Sequence, residues 1–248
     1  MLFLLIEKAL FFKISGLFHF YNNYCIICNN MKNINIQDLS RKIPIFPLTG
    51  AVLFPGTQLP LNIFEPRYVQ MIDDALASPG RLLGMIQPAS QNQEAGNKSL
   101  KKVGCVGRIS SFNEAEDSRY LITLSGVVRF EVDEELDVTT PYRQVLANYD
   151  NFKTDTETQN SDSIDRSKLL ALVKRYLEHR KILADWEIIK QTPTEQLINY
   201  SGILVPFTPE EKQLLLEAKT LITRGHALEA LYQSYIFDLS GEKSDQLH

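Results

Sequence analysis

The apolar positions of this chain change rhythm near residue 150. Before that point they come in short runs cut by proline and glycine. Between Ile43 and Asp74 five prolines (Pro44, Pro47, Pro55, Pro60 and Pro66) exclude a long helix, because proline lacks an N–H and clashes with the preceding turn. Short strands that tolerate an edge position are what remains. Residues 51–54 and 59–64 flank Pro55-Gly56-Thr57, whose preset and positive φ angles suit a tight turn, so the spacing predicts strand, turn, strand. From Pro66 onward Tyr68, Met71, Ile72, Ala75 and Leu76 fall at helical spacing, with proline acceptable in the first turn and Pro79-Gly80 as a stop.

Residues 81–86 read as a buried strand and 89–102 as a polar surface loop. Strands are predicted over 103–112 and 120–124, then a turn at Ser125-Gly126, then strands over 127–132 and 142–147. Six or more short strands with one helix leave many edges to hide, and a small, partly closed β-barrel hides them most simply.

Residues 151–163 are mostly Asn, Thr, Ser, Asp and Glu and read as a polar linker. Beyond them the period becomes helical. Leu169, Leu172, Val173, Tyr176 and Leu177 mark one apolar face, and Leu197, Ile198, Ser201, Ile203 and Leu204 another. Thr192-Pro193-Thr194-Glu195 and Thr208-Pro209-Glu210-Glu211 each offer Thr as N-cap, Pro at N1 and Glu at N3, the pattern of a capping box. Leu214, Leu215, Ala218, Leu221 and Ile222 continue the helices, Gly225 reads as a break, and Leu228, Leu231 and Tyr235 follow. The expected class is α+β: an extension over 1–40, a β-rich unit over 41–150, the linker, a helical bundle over 164–238 and a disordered tail over 239–248.

Composition narrows the chemistry. The chain has 248 residues and a formal net charge of −4, with no segment carrying the basic excess that binding a phosphate backbone needs. Three cysteines are too few for a disulfide framework and fit a reducing compartment. Cys105, within an apolar run, reads as a small buried hydrophobe. Cys25-Ile26-Ile27-Cys28 has the spacing of half a metal site but no second pair. Residues 1–30 lack the order of a secretory signal and make a poor membrane span. They read as upstream sequence, with Met31 as the expected start and the cytoplasm as the expected compartment.

Several ordered blocks resemble the N-terminal substrate-binding domain of the Lon proteases. They are the Pro-rich block from Ile43 to Asp74, Gly84-Met85-Ile86-Gln87-Pro88, Val103-Gly104-Cys105-Val106-Gly107-Arg108-Ile109, and Arg119-Tyr120-Leu121-Ile122-Thr123-Leu124-Ser125-Gly126 leading to Arg129-Phe130. Farther on, Ala184-Asp185-Trp186-Glu187 and Pro206-Phe207-Thr208-Pro209-Glu210-Glu211 resemble free-standing members of that family. The resemblance runs from about residue 41 to about residue 235. It implies a PUA-like β pseudobarrel with one helix followed by an α-helical bundle, and a role in recognising unfolded or hydrophobic polypeptide segments beside a separate ATP-dependent protease.

The chemistry of Lon itself is not expected here. No Gly-x-x-x-x-Gly-Lys-Ser/Thr loop exists to cradle phosphates, and the nine residues from Ser240 cannot supply a serine–lysine peptidase domain. No Gly-x-Ser-x-Gly elbow occurs, and His179 and His226 read as surface residues. Neither cofactor, metal, nucleic acid nor membrane is expected as a partner. What remains is binding of an extended chain along a sheet edge. The candidate polypeptide-binding residues are Phe54, Leu59, Leu61, Phe64, Glu65, Arg67, Tyr68, Met71 and Arg119, with Pro55 beside them. Glu65 and Arg67 flank Pro66 in an apolar context and are expected to be held by a structural ion pair or a backbone clamp, and Trp186 to wedge between helices. The rival readings are an RNA-binding PUA-like module and a small-molecule enzyme with a perturbed carboxylate or histidine in a polar pocket.

Overall fold

One strand organises the molecule. In the computed structural model, which describes residues 35–89, 99–115, 119–157 and 159–240 (side chains to 237), β5 (Tyr120–Leu136) runs unbroken and is shared by three neighbours. Its first part pairs antiparallel with β2 (Gln58–Ile63), its length with β4 (Val103–Glu114), and its last part with β6 (Gln144–Asn148). With β1 (Lys42–Pro47) and β3 (Leu82–Ile86) the six strands run in the order β2-β5-β4-β3-β1-β6, and the β5–β6 pairing closes the ring. The fold is α+β, with a β pseudobarrel as expected. Irregularities at Val106/Gly107, Ile109/Ser111 and Val132/Glu134 supply the bends that closure needs.

The turn expected at Ser125-Gly126 is therefore absent. Gly126 is demanded by packing: a Cβ there would lie 2.0 Å from the Phe54 carbonyl oxygen. The Gly126 N–H donates to Thr57 O, and the Gly56 N–H to Gly126 O, so the tight turn at Pro55-Gly56 sits against the strand. That turn is as predicted, with Gly56 at φ +71°. Residues 51–54, however, form no ladder; they are mostly buried, and β1 is the strand that precedes the turn.

Helix α1 (Pro66–Ala77) buries Tyr68, Met71, Ile72 and Ala75. The described bundle comprises α2 (Arg166–His179), α3 (Trp186–Gln191), α4 (Thr194–Leu204), α5 (Pro209–Glu217) and α6 (Leu221–Ser240). Only the second expected capping box forms: Thr208 accepts from the Glu211 N–H while the Glu211 carboxylate accepts from the Thr208 N–H. Thr192 is instead taken by the preceding helix, its hydroxyl donating to Ile188 O, and Pro193 stands at the N-cap of α4 without a side-chain bond. Gly225 does not break α6. A Cβ there would meet Ile164 and Ile198 at 3.2 Å, so the glycine permits close packing within a continuous helix.

Polar staples lock the bundle to the barrel. The Gln87 side chain accepts from Gly50 N–H and donates to Pro209 O, and Gln213 donates to Val103 O. The segment read as linker also folds onto the barrel: a 3-10 turn at Asp150–Thr156 buries Phe152 and presents Asp155 to Arg129. The readings at Cys25-Cys28, the Met31 start, residues 1–34, the loop interior 90–98 and the tail from 241 lie outside the described residues.

Candidate functional site

The alternation along β2 decides what the barrel tip displays. Leu59, Leu61 and Ile63 point inward and are buried, while Pro60, Asn62 and, just past the strand, Phe64 point outward. The Gly126 N–H to Thr57 O bond fixes the phase of the β2–β5 ladder, because hydrogen-bonded and non-hydrogen-bonded pairs alternate. Gln58, Pro60 and Asn62 then turn their backbone groups away from β5, onto the open side of the strand. Pro60 has no N–H to offer there, and the Gln58 N–H is taken by the Tyr200 hydroxyl at 3.2 Å. The edge is thus guarded against strand addition, which corrects the expectation of backbone pairing along it.

Side chains at this end are another matter. Phe64, Phe112 and Leu121 are 45%, 41% and 45% exposed. Leu121 opposes Asn62 in the register, which sets it diagonally across from Phe64 on the outer face of β2–β5. On the other face, Phe112 packs edge-on against Tyr120 with ring centroids 4.9 Å apart. The hairpin that carries them is closed by the Ala115 N–H donating to Arg119 O. The result is an apolar tip clothed on both faces of one hairpin.

Of the sequence candidates, Phe54, Leu59, Leu61, Tyr68 and Met71 lie in the core, as does Pro55, so they cannot line an open groove. Inward alternation along β2 places Leu59 and Leu61 there and the buried face of α1 places Tyr68 and Met71, while Phe54 and Pro55 belong to the buried stretch that leads into the turn. Phe64, Glu65, Arg67 and Arg119 lie at or near the surface. Arg67 donates twice to Glu65 Oε2, at 3.0 and 2.8 Å, and its guanidinium stacks over the Tyr68 ring at 4.5 Å. That pair is solvent-exposed and adds little stability. Burial raises the Tyr68 pKa, and Tyr68 also packs edge-on against Phe46. α1 is tied to the hairpin by Asp73, whose acceptance of the Tyr120 hydroxyl proton raises that phenol's pKa, and to the opposite side by Asp74, which accepts from Tyr142 at 2.5 Å.

Sequence reasoning missed Phe112 and Leu121. The signal was present: Ile63-Phe64 and Leu121-Ile122 are adjacent apolar pairs in strands, and only one member of each can face the core.

A crevice at the barrel–bundle junction, lined by Arg129, Asp155, Glu195, Asn199 and Arg224 among others, has room for about one water molecule. Its side chains satisfy one another. Arg129 binds Asp155 through Nε at 2.8 Å and Nη2 at 2.7 Å and donates to Leu216 O and Ala218 O. Arg224 donates to Asn199 Oδ1 and Leu215 O and lies over the Phe54 ring, and burial lowers its pKa to about 10, which keeps it charged at neutral pH. Cys105 is fully buried and its thiol pKa is pushed up by that burial, which makes it inert. His179 and His226 are exposed, Trp186 is partly buried against the core, and no cluster able to hold a metal ion occurs among the described residues. No helix among them is long and apolar enough to cross a membrane.

Residues 42–232 match the family model described as the ATP-dependent protease La (LON) substrate-binding domain. Among curated proteins, the chain is 27% identical over 194 residues to Lon protease 2 of Myxococcus xanthus, covering 77% of this chain and 23% of that protein. It is 32% identical over 104 residues to the Lon protease of Flavobacterium johnsoniae, covering 42% of this chain and 13% of that protein. The chain thus spans under a quarter of the length of either relative. Among solved structures, the N-terminal domain of Mycobacterium avium complex Lon protease superposes with a TM-score of 0.55 at 17% identity, covering 82% of this chain and all of that one. The Lon N-terminal domain protein from Xanthomonas campestris gives 0.53 at 20% identity, covering 77% and 97%.

Proposed function

The chain belongs to the Lon substrate-binding domain family, and on that premise we propose that it is a non-catalytic module of the cytoplasm that captures unfolded or hydrophobic polypeptide segments. Its role would be that of an adaptor or holdase in protein quality control, passing segments to a separate ATP-dependent protease or sequestering them. The observation that carries the reading is the apolar tip formed by Phe64, Phe112 and Leu121. Large apolar side chains gathered at one end of a barrel favour a partner that brings apolar side chains of its own. Because Pro60 and the Tyr200 hydroxyl guard the β2 edge, capture runs through side chains and tolerates many sequences, as a quality-control module requires.

Fluorescence anisotropy with an unfolded model polypeptide, the same polypeptide folded, and a structured RNA, each at two salt concentrations, tests this. Binding to the unfolded chain alone, insensitive to salt, is expected. Binding to the RNA with a steep salt dependence would replace this reading with a nucleic-acid one.

A further inference from the structure

The outer face of the sheet carries a cation that the fold leaves without a counter-charge. Arg108, in β4, stands opposite Ser125 of β5 and Leu82 of β3. Directly opposed residues share a face of the sheet, so Arg108 lies on the same face as Leu121 and Phe64. The residue is half-buried, and its Nε is buried without a hydrogen-bond partner. Among the described residues the guanidinium has no hydrogen bond and no ion pair.

Its neighbours cannot supply one. The Ser125 hydroxyl donates to Ser110 Oγ at 2.8 Å, and the Ser110 hydroxyl donates to Thr123 O at 3.2 Å, so both are committed within the sheet. Toward the hairpin end this face adds only neutral side chains from β5 and β2, Thr123 and Leu121 with Pro60 and Asn62 opposite them. Glu114, the carboxylate at the end of β4, opposes Tyr120 and so belongs to the other face. A buried donor left unsatisfied costs folding free energy, and one that persists calls for a partner from outside the fold.

Spacing gives that partner its shape. Leu121 is four residues from Ser125 along β5, about 13 Å, and Phe64 lies just beyond. An extended polypeptide advances by about the same distance per residue. A carboxylate held by Arg108 therefore sets apolar side chains about three or four residues away against Leu121 and Phe64. Arginine meets a carboxylate through two parallel N–H bonds. Every polypeptide carries one such group at its C-terminus whatever its sequence, whereas an Asp or Glu side chain must be placed at the right spacing each time.

We infer that Arg108 reads chain ends: it holds the C-terminal carboxylate of an unfolded polypeptide whose apolar residues, about three or four before the end, rest on Leu121 and Phe64. The inference rests on the capture reading above and narrows it to chains with a free, apolar C-terminus. Because the cation is half-buried, salt screens the added pair little.

The test is fluorescence anisotropy of the whole protein with two short unstructured peptides of identical sequence, labelled at the N-terminus and carrying Phe and Leu shortly before the end. One closes in a free carboxylate and the other in a carboxamide; an unfolded model polypeptide and octanoate, the latter as competitor, are the controls. The acid should bind at least tenfold more tightly than the amide, about 1.4 kcal/mol. Arg108→Gln should erase that preference, and Arg108→Lys, which keeps the charge but not the planar fork, should retain part of it. Neither change should lower the urea midpoint, whereas loss of a structural arginine would lower it. Equal binding of acid and amide by the parent, or a preference that survives in Arg108→Gln, would overturn the inference and leave capture by the tip intact. Tighter binding of octanoate than of the acid peptide would also overturn it, by making the site one for a small amphiphile. Failure of the unfolded polypeptide to bind at all would overturn the capture reading, and this inference with it.

Discussion

Arg129→Met should cost about 3–5 kcal/mol of folding stability, because it strands a buried carboxylate. The Arg129 and Asp155 side chains are only 3% and 5% exposed, and the guanidinium engages both carboxylate oxygens as well as Leu216 O and Ala218 O at the end of α5. Asp155→Leu should cost a similar amount by leaving the cation unpaired. The double variant should be far less damaged than the sum of the singles: with both charges gone, the remaining loss is about 2–3 kcal/mol from the two carbonyls that Arg129 no longer satisfies. A coupling energy of about 3 kcal/mol or more is therefore expected from urea unfolding of the four proteins, followed by far-ultraviolet circular dichroism and analysed as a double-mutant cycle. At this chain length each single change should lower the thermal midpoint by about 10 °C. Additive losses would refute the reasoning, since they would mean that the two side chains do not interact across the junction. So would single losses below about 1 kcal/mol, which would mark a solvated pair.

Gly126→Ala should destabilise by about 3 kcal/mol in the same assay, because its Cβ would lie 2.0 Å from Phe54 O and the turn at Pro55-Gly56 would have to move. Lys181→Gly should do the opposite and raise stability by about 1 kcal/mol, because the φ of +54° suits glycine better; an unchanged urea midpoint would contradict the strain. Alkaline pH should unfold the protein. Burial raises the pKa values of Tyr142, Tyr149 and Tyr232 above the ordinary 10.0, and Tyr235 is pushed up to about 12 by burial and by its bond to Glu211. Phenols held protonated in the fold but free to ionise once unfolded make stability full below pH 10 and progressively lower above it, so the urea midpoint should fall between pH 9.5 and 11.5 by the values cited. A midpoint flat across that range would show that these phenols are not held as described.

How much of this was legible in the sequence depended on whether a signal was local. Helix α1 follows from the spacing Tyr68, Met71, Ile72, Ala75, and the α5 capping box from Thr208 and Glu211, because both are complete within one or two turns. The failures share a cause. Gly126 and Gly225 read as punctuation because glycine marks turns, yet each is required by an atom distant in sequence: the Phe54 carbonyl in one case and the Ile164 and Ile198 side chains in the other. Thr192 looked like an N-cap, but the end of α3 claims its hydroxyl first. Residues 151–163 looked like linker because only Phe152 among them is large and apolar, and a one-dimensional reading gives no value to Asp155 until Arg129 is beside it. At the candidate site, apolar content alone merged core and surface. Phase along the strand separates them, sending Leu59 and Leu61 inward and Phe64 outward.

The central claim is that the barrel tip captures unfolded chain through Phe64 and Leu121, and the most direct measurement is the affinity of Phe64→Ser/Leu121→Ser for an unfolded model polypeptide beside that of Leu214→Ser, an exposed leucine on the bundle. Each tip residue is about 45% exposed, and for an aromatic side chain that leaves roughly 90 Å² to bury, or about 2 kcal/mol. The tip variant is predicted to bind at least tenfold more weakly, about 1.4 kcal/mol, with its thermal midpoint unchanged and with Leu214→Ser binding as the parent does. Equal affinity for the parent and the tip variant would contradict the account.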